Sequence, residues 1–283
     1  MALLPPFFLD CVVSIGIAGT NQVTSWIGTG FLYGYPSMKN EKAEQLYTVY
    51  LVTNKHVVGS NAKVWIRLNP KDGQAGRDFE LNLADTGGKK TWHEHSDQSI
   101  DLAVQRINAE YLRAQNIQFS FFEDDHHVST LKDLENGALS EGDPVYVLGF
   151  PMGQVGTQRL YTICRLGVIA RCRDWLEGRS KEMLVDASIF PGNSGGPVIA
   201  GCYLASIAGT KTRTRADLIG IVQSYLPYQD VAISQQTKRP RIIFEENSSL
   251  ASIIPADFLR DIVRELHKQK ELPLKTDSAQ QNT

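Results

Sequence analysis

The stretch FPGNSGGPVI, Phe190 to Ile199, decides how the rest of the chain is read. It sets three glycines, two prolines, an asparagine and a single serine, Ser194, ahead of an apolar run. Residues of these types gather in surface turns for backbone reasons alone. They also gather where a serine stands on a loop whose backbone N–H groups must face one reacting carbonyl. The stretch is compatible with both, so the choice depends on partners for Ser194 elsewhere in the chain.

Working outward, most of the chain divides into short runs rich in Val, Ile, Tyr and Phe, bounded by Gly, Asn, Pro or Asp, the pattern of β-strands. A first set holds CVVSIGIA, GTGFLYGY, YTVYLVTN, AKVWIRL and DLAVQRI. A second holds PVYVLGF, QRLYTICRLGVIARC, EMLVDASI, GPVIAGCYLASIAG, LIGIVQSYL and SLASIIP. Two sets of about six strands predict an all-β chain of two six-stranded antiparallel β-barrels. The expected limits are residues 8–107 for the first barrel, 108–140 for a polar connector and 141–255 for the second barrel. Within residues 256–270, Phe258, Leu259, Ile262, Val263 and Leu266 share one helical face, which predicts a C-terminal α-helix docked on the second barrel. Asp257 in its first turn and Lys268 and Lys270 in its last suit the helix dipole. Residues 271–283 are expected as a polar, disordered tail.

Composition narrows the function classes. The 283 residues are 42% hydrophobic and 21% charged, ordinary for a globular protein able to bury a substantial core. A net charge of −2 gives no electrostatic case for nucleic acid or an anionic membrane as partner. No apolar run approaches the roughly 18 residues of a membrane helix. The N-terminal MALLPPFFLDCVVSIGI lacks a basic start, is interrupted by prolines and carries Asp10, so no export signal is expected. Cys11, Cys164, Cys172 and Cys202 form no CxxC pair and are expected as small buried hydrophobes in a reducing compartment. The expected location is cytoplasmic.

A serine hydroxyl needs an adjacent base, itself oriented by a third group. Among His56, His93, His95, His126, His127 and His267, His56 stands apart because YLVTNKHVV sets it at the end of an apolar strand. SIDLAV places Asp101 just before a buried-looking strand, where a carboxylate is costly unless something pairs with it. Asp97, in a polar stretch, is expected to be solvated. Taken alone, His56 also reads as a half-buried strand-end histidine, and Asp101 as a strand-capping aspartate.

His56, Asp101 and Ser194 occur in the chain order of the chymotrypsin type. With GTGFL, VTNKHVV, DLAV, VLGFPMG and DASIFPGNSGGPVI in sequence, the chain resembles trypsin-like serine peptidases, most nearly the HtrA/Deg-type branch, from Cys11 to Leu266. The resemblance implies Ser194 as nucleophile, His56 as general base and then acid, and Asp101 as the group holding the imidazole tautomer. It implies an oxyanion hole built from the backbone N–H groups of Gly192 and Ser194. It also implies a substrate pocket with Ser188 at its base, Ile189 and Phe190 on one wall, and Gly220, Ile221 and Val222 on the other. No carboxylate occupies that base, so cleavage after neutral or aliphatic residues is expected rather than after Arg or Lys.

The departures from the family pattern matter as much. Asn193 stands where activatable relatives carry an aspartate that pairs with a newly cut N-terminus, and an amide cannot form that ion pair. Activation of that kind is not expected, so the turn must be shaped by its own packing or by a partner. No PDZ domain is expected after the helix. The 108–140 connector and the segment Leu226–Asn247, read as an inserted loop with a solvated TKRPR run, are the candidates for regulation. HEH at His93–His95 and EDDHH at Glu123–His127 lack a second half at zinc-site spacing, so neither metal nor cofactor is expected. The resulting expectation is a serine endopeptidase acting on protein or peptide substrates, kept latent until an activating partner or ligand orders the oxyanion turn. The competing expectation is a catalytically silent binding module on the same fold.

Overall fold

The computed structural model describes residues 4–19, 24–134, 138–202 and 212–271. After a 3₁₀ turn, Pro6–Cys11, come strands β1 (Val12–Ala18), β2 (Thr24–Lys39) and β3 (Gln45–Thr53), then the one-turn helix α1 (Lys55–Val58). Strands β4 (Lys63–Pro70), β5 (Arg77–Asn82), β6 (His93–Glu94) and β7 (Ala103–Arg106) complete the first half. The connector holds α2 (Ala109–Ala114), β8 (Ile117–Gln118), β9 (Phe122–Glu123) and α3 (Leu131–Leu134). The second half has β10 (Pro144–Gly149), β11 (Ile163–Arg171), α4 (Arg173–Leu176), β12 (Met183–Asp186), β13 (Pro197–Ala200), β14 (Asp217–Ile233) and β15 (Pro240–Pro255). It ends in α5 (Ala256–Glu271). The expected tail lies outside the described residues from position 272 on, as does the CYLASIAG part of one expected strand from position 203 on.

The second half closes into a six-stranded antiparallel barrel in the order β10-β11-β12-β15-β14-β13. The first half is a sheet ordered β5-β4-β1-β2-β3-β7-β6, with β8 added on β4 and β9 on β2. Six of its nine strands have four or more residues; β6, β8 and β9 have two each.

Strand alternation explains why the sequence is apolar in continuous runs. Leu32 and Leu51 point into the first half, while their neighbours Phe31, Tyr33, Tyr50 and Val52 point to the seam between halves. Across the seam, Leu148 and Ile199 meet them, while Val147 and Val198 turn into the second barrel. A strand with a packed layer on both faces loses the polar-out half of its pattern.

Three expectations need correction. Helix α5 does not serve the second barrel alone: Leu259, Ile262 and Val263 are buried in the seam cluster, and Arg260 Nε binds Asp124 Oδ1 of the connector at 2.6 Å. Tyr50 Oη also meets His267 Nε2 at 3.0 Å, tying the helix to β3. The expected inserted loop at Leu226–Asn247 is instead strand: β14 and β15 stay paired from Pro227↔Asn247 to Ile233↔Pro240, as an arm beyond the barrel. Finally, only Cys11 and Cys172 are buried; Cys164 is exposed and Cys202 half-buried. Burial pushes the Cys11 thiol well up and, with Glu141 nearby, the Cys172 thiol up to about 12.

Candidate active site

Adjacent strands bring His56 and Asp101 together. β3 and β7 are antiparallel neighbours with Thr53 opposite Ala103, so the chain leaving β3 and the chain entering β7 meet at one edge. His56 sits on α1 just after β3, and Asp101 two residues before β7. Asp101 Oδ2 lies 2.5 Å from His56 Nδ1, and Oδ1 accepts from the His56 backbone N–H at 3.1 Å. Asn54, fully buried, donates its side-chain amide to the Asp101 carbonyl at 2.8 Å. An ionised carboxylate can only accept, so this contact calls for a proton on Nδ1, and in the neutral ring the lone pair is then on Nε2. The His56 side chain is 49% exposed and the Asp101 side chain 19%. Asp97 is not simply solvated: it forms an exposed ion pair with Lys181 of the second half at 2.5 Å. The Lys181 ammonium, aided by Ser99, holds its carboxyl well below the usual range.

Ser194 stands on the loop between β12 and β13. Before it, Phe190 to Asn193 form a turn closed by the Asn193 N–H on the Phe190 carbonyl at 3.0 Å. Pro191 leads and Gly192 follows at φ +98°, the type II combination, in which the third residue needs a positive φ. A Cβ on Gly192 would meet the Phe150 carbonyl at 2.5 Å. Among the described residues, neither the Gly192 nor the Ser194 backbone N–H donates to another protein group. Asn193 is fully buried; its Oδ1 accepts from the Phe190 N–H at 3.1 Å, and among the described residues its Nδ2 has no partner.

Thr29, from the GTGFL motif, ties this turn to the His56 strand. Its hydroxyl donates to the Gly192 carbonyl at 2.6 Å and accepts from the Phe150 N–H at 3.0 Å. Its backbone N–H donates to the Ser194 carbonyl at 2.9 Å, and its own carbonyl accepts from Thr53 Oγ1 at 2.8 Å. Gly195 sits against this crossing at φ +84°, where a Cβ would meet the Thr29 carbonyl at 2.1 Å. Thr29 and Thr53 went unassigned from sequence, because nothing local tells which hydroxyl in a strand faces a distant loop.

The structure does not join all three expected groups by hydrogen bonds. Ser194 Oγ donates to the Gln223 carbonyl at 3.2 Å, and among the described residues no hydrogen bond links it to His56. The expected pocket also needs correction. Ile189, Ile221 and Val222 have at most 1% exposure and pack in the core clusters, so their side chains line no open pocket. Gly220 is buried as well; Ser188 is exposed and Phe190 half-buried, with the Arg165 guanidinium 5.3 Å from its ring centre. Glu123, Asp125 and His126 place one ligand-type atom each within 4.8 Å of one another on the connector, at a largely exposed spot.

Two packed β-units with a histidine–carboxylate pair on one half and a glycine-flanked serine on the other define the class of chymotrypsin-fold peptidases. The family model for the trypsin-like peptidase domain matches residues 28–202, and the chain belongs to that family. HhoA of Synechocystis sp., named as a serine protease, is 30% identical over 171 residues, which are 60% of this chain and 36% of that one. A DegP-like periplasmic serine endoprotease of Chlamydia pneumoniae is 31% identical over 153 residues, 53% of this chain and 24% of that one. The matched region thus spans well under half the length of either relative. An atomic-resolution structure of HBP superposes with a TM-score of 0.50 at 10% identity, covering 94% of this chain and 95% of that one, a likeness of fold.

Proposed function

We propose that the chain is a serine endopeptidase using Ser194, His56 and Asp101. The observation that carries the reading is the 2.5 Å contact of His56 Nδ1 with Asp101 Oδ2, which holds the ring by one nitrogen and keeps Nε2 for another partner. In the proposed cycle, Ser194 Oγ turns from the Gln223 carbonyl toward His56 and attacks the substrate carbonyl carbon as its proton passes to Nε2. The Gly192 and Ser194 N–H groups receive the oxyanion. His56 then protonates the leaving amine, and water releases the acyl group by the same steps in reverse.

The rotated Ser194 and the unpartnered Asn193 amide favour a latent form, in which a partner or ligand sets the nucleophile and the oxyanion turn. The substrate class proposed is protein or peptide, cleaved after neutral or aliphatic residues. A free, exposed Cys164 suits a reducing, cytoplasmic location. Among the described residues no helix is long and apolar enough to cross a membrane.

Digestion of an unfolded protein, with new termini mapped by mass spectrometry, tests the reading. Cleavage is expected from wild type and not from Ser194→Ala. Equal cleavage by both, or Arg and Lys dominating the position before the cut, contradicts it. A silent binding module predicts no cleavage under any activating condition.

A further inference from the structure

Among the described residues, the arm formed by β14 and β15 is paired only with itself beyond the barrel. β12 bonds β15 at Leu250–Ile253, leaving the outer edge of Pro240–Glu246 without a strand partner among the described residues. The arm exposes Leu226, Tyr228, Val231, Ile233, Ile242, Ile243 and Phe244, with Ile243 at 61% and Tyr228 at 61%. A two-stranded ribbon is marginal in water by itself, and a flat apolar edge is a template for another strand.

The sequence of that edge says which strand fits. Arg239-Pro240-Arg241 precedes Ile242-Ile243-Phe244, and Glu245-Glu246 follows, so the segment runs basic, apolar, acidic. Such an order is complementary to itself when two copies lie antiparallel. With the two-fold axis on Ile243, Ile243 faces its own copy, Ile242 faces Phe244, Arg241 faces Glu245 and Pro240 faces Glu246. A one-residue slip keeps an arginine–glutamate pair but sets a charge against an apolar residue, Arg241 against Phe244 in one direction and Glu245 against Ile242 in the other. Among the described residues Arg239, Arg241 and Glu246 make no ion pair, and Glu245 accepts only from Tyr225 and Gln229. The outer edge of β14 offers no such match, because Tyr228–Ile233 carries one charge, Asp230, and no basic residue.

We propose that this chain forms a two-fold dimer by antiparallel pairing of the β15 outer edges, giving a continuous four-stranded ribbon, β14-β15-β15-β14, across two copies. The contact is isologous, as a two-fold requires, so each charged pair occurs twice. The β14 edge, which carries Gln223 at its base, remains free in the dimer. This inference does not depend on the peptidase reading.

Sedimentation equilibrium of the full chain tests it, with charge-reversed variants. Wild type is expected to dimerise. Arg241→Glu and Glu245→Arg, each replacing two attractive contacts by two repulsive ones, are expected to weaken the dimer at least about tenfold. The double variant Arg241→Glu/Glu245→Arg restores the pairing in reverse and is expected to return dimerisation to the wild-type range. Circular dichroism reports whether each variant is folded, and Ile243→Cys adds an independent measurement. The axis sets that residue opposite itself, so oxidation is expected to link two copies through position 243. A wild type monomeric up to roughly 100 μM, where a micromolar dimer would be populated, overturns the proposal. So does a dimer indifferent to single reversals, or a double variant that stays monomeric.

Discussion

Replacing Thr29 by valine keeps the shape of the side chain and removes one oxygen. That oxygen joins the Gly192 carbonyl at 2.6 Å and the Phe150 N–H at 3.0 Å, with Thr29 fully buried. Water cannot reach the two groups left behind, so each carries a desolvation cost of about 1–3 kcal/mol. The sum is about 2–6 kcal/mol, and relaxation of the turn brings the measured loss toward the lower end. For a chain of this size about 2 kcal/mol corresponds to a fall of roughly 4–8 °C in Tm. The same oxygen holds the Gly192 carbonyl, on the peptide next to the one that carries the oxyanion N–H, so its loss loosens the turn that aims that N–H. Losing one such donor costs roughly 10²–10³ in kcat. Differential scanning calorimetry and the rate of acylation by an activated ester read the two effects separately. A Thr29→Val protein with Tm within about 1 °C of wild type and an unchanged acylation rate refutes the assigned role of this hydroxyl.

Three further outcomes follow from the same geometry. Asp101→Asn should lower kcat by about 10⁴ at neutral pH with little change in KM, because an amide facing Nδ1 favours the wrong imidazole tautomer; steady-state kinetics reads it. Gly195→Ala should fold poorly or lose activity, since φ is +84° and the added methyl would meet the Thr29 carbonyl at 2.1 Å; soluble yield and Tm check this. Burial works to raise the Glu141 carboxyl, but the backbone N–H groups of Cys172 and Arg173 and the Arg173 guanidinium outweigh it and take it from 4.5 down to about 2. A depressed carboxylate stabilises the fold fully above its unfolded value and loses that contribution as pH falls through the folded one. The Tm gap between wild type and Glu141→Gln should therefore be full at pH 7 and close as pH falls from 4.5 toward 2.

What could be read from sequence depended on whether the signal was local. The strands were legible because alternation and turn residues are local, and so was the amphipathic face of α5. Its target was not, since Leu259 and Val263 say only that something apolar covers them. His56 and Asp101 were legible because each adjoins an apolar strand, and the pairing of β3 with β7 does the rest. Thr29 was hidden because its hydroxyl reaches Phe150 and Gly192, 121 and 163 positions away. The pocket failed at Ile189, Ile221 and Val222 because motif alignment gives a position along a strand but not the face to which its side chain points. In sequence the β14–β15 arm has the look of a loop because Pro227, polar residues and the bulges near Val222, Tyr225 and Ala232 break its alternation.

The most direct test of the catalytic reading is intact-mass analysis after exposure to a fluorophosphonate, alone and with candidate activating fractions. A single adduct mapped to Ser194, absent from Ser194→Ala and slowed in His56→Ala, is the predicted result. No adduct at Ser194 under any of these conditions, in a protein shown to be folded, would contradict it.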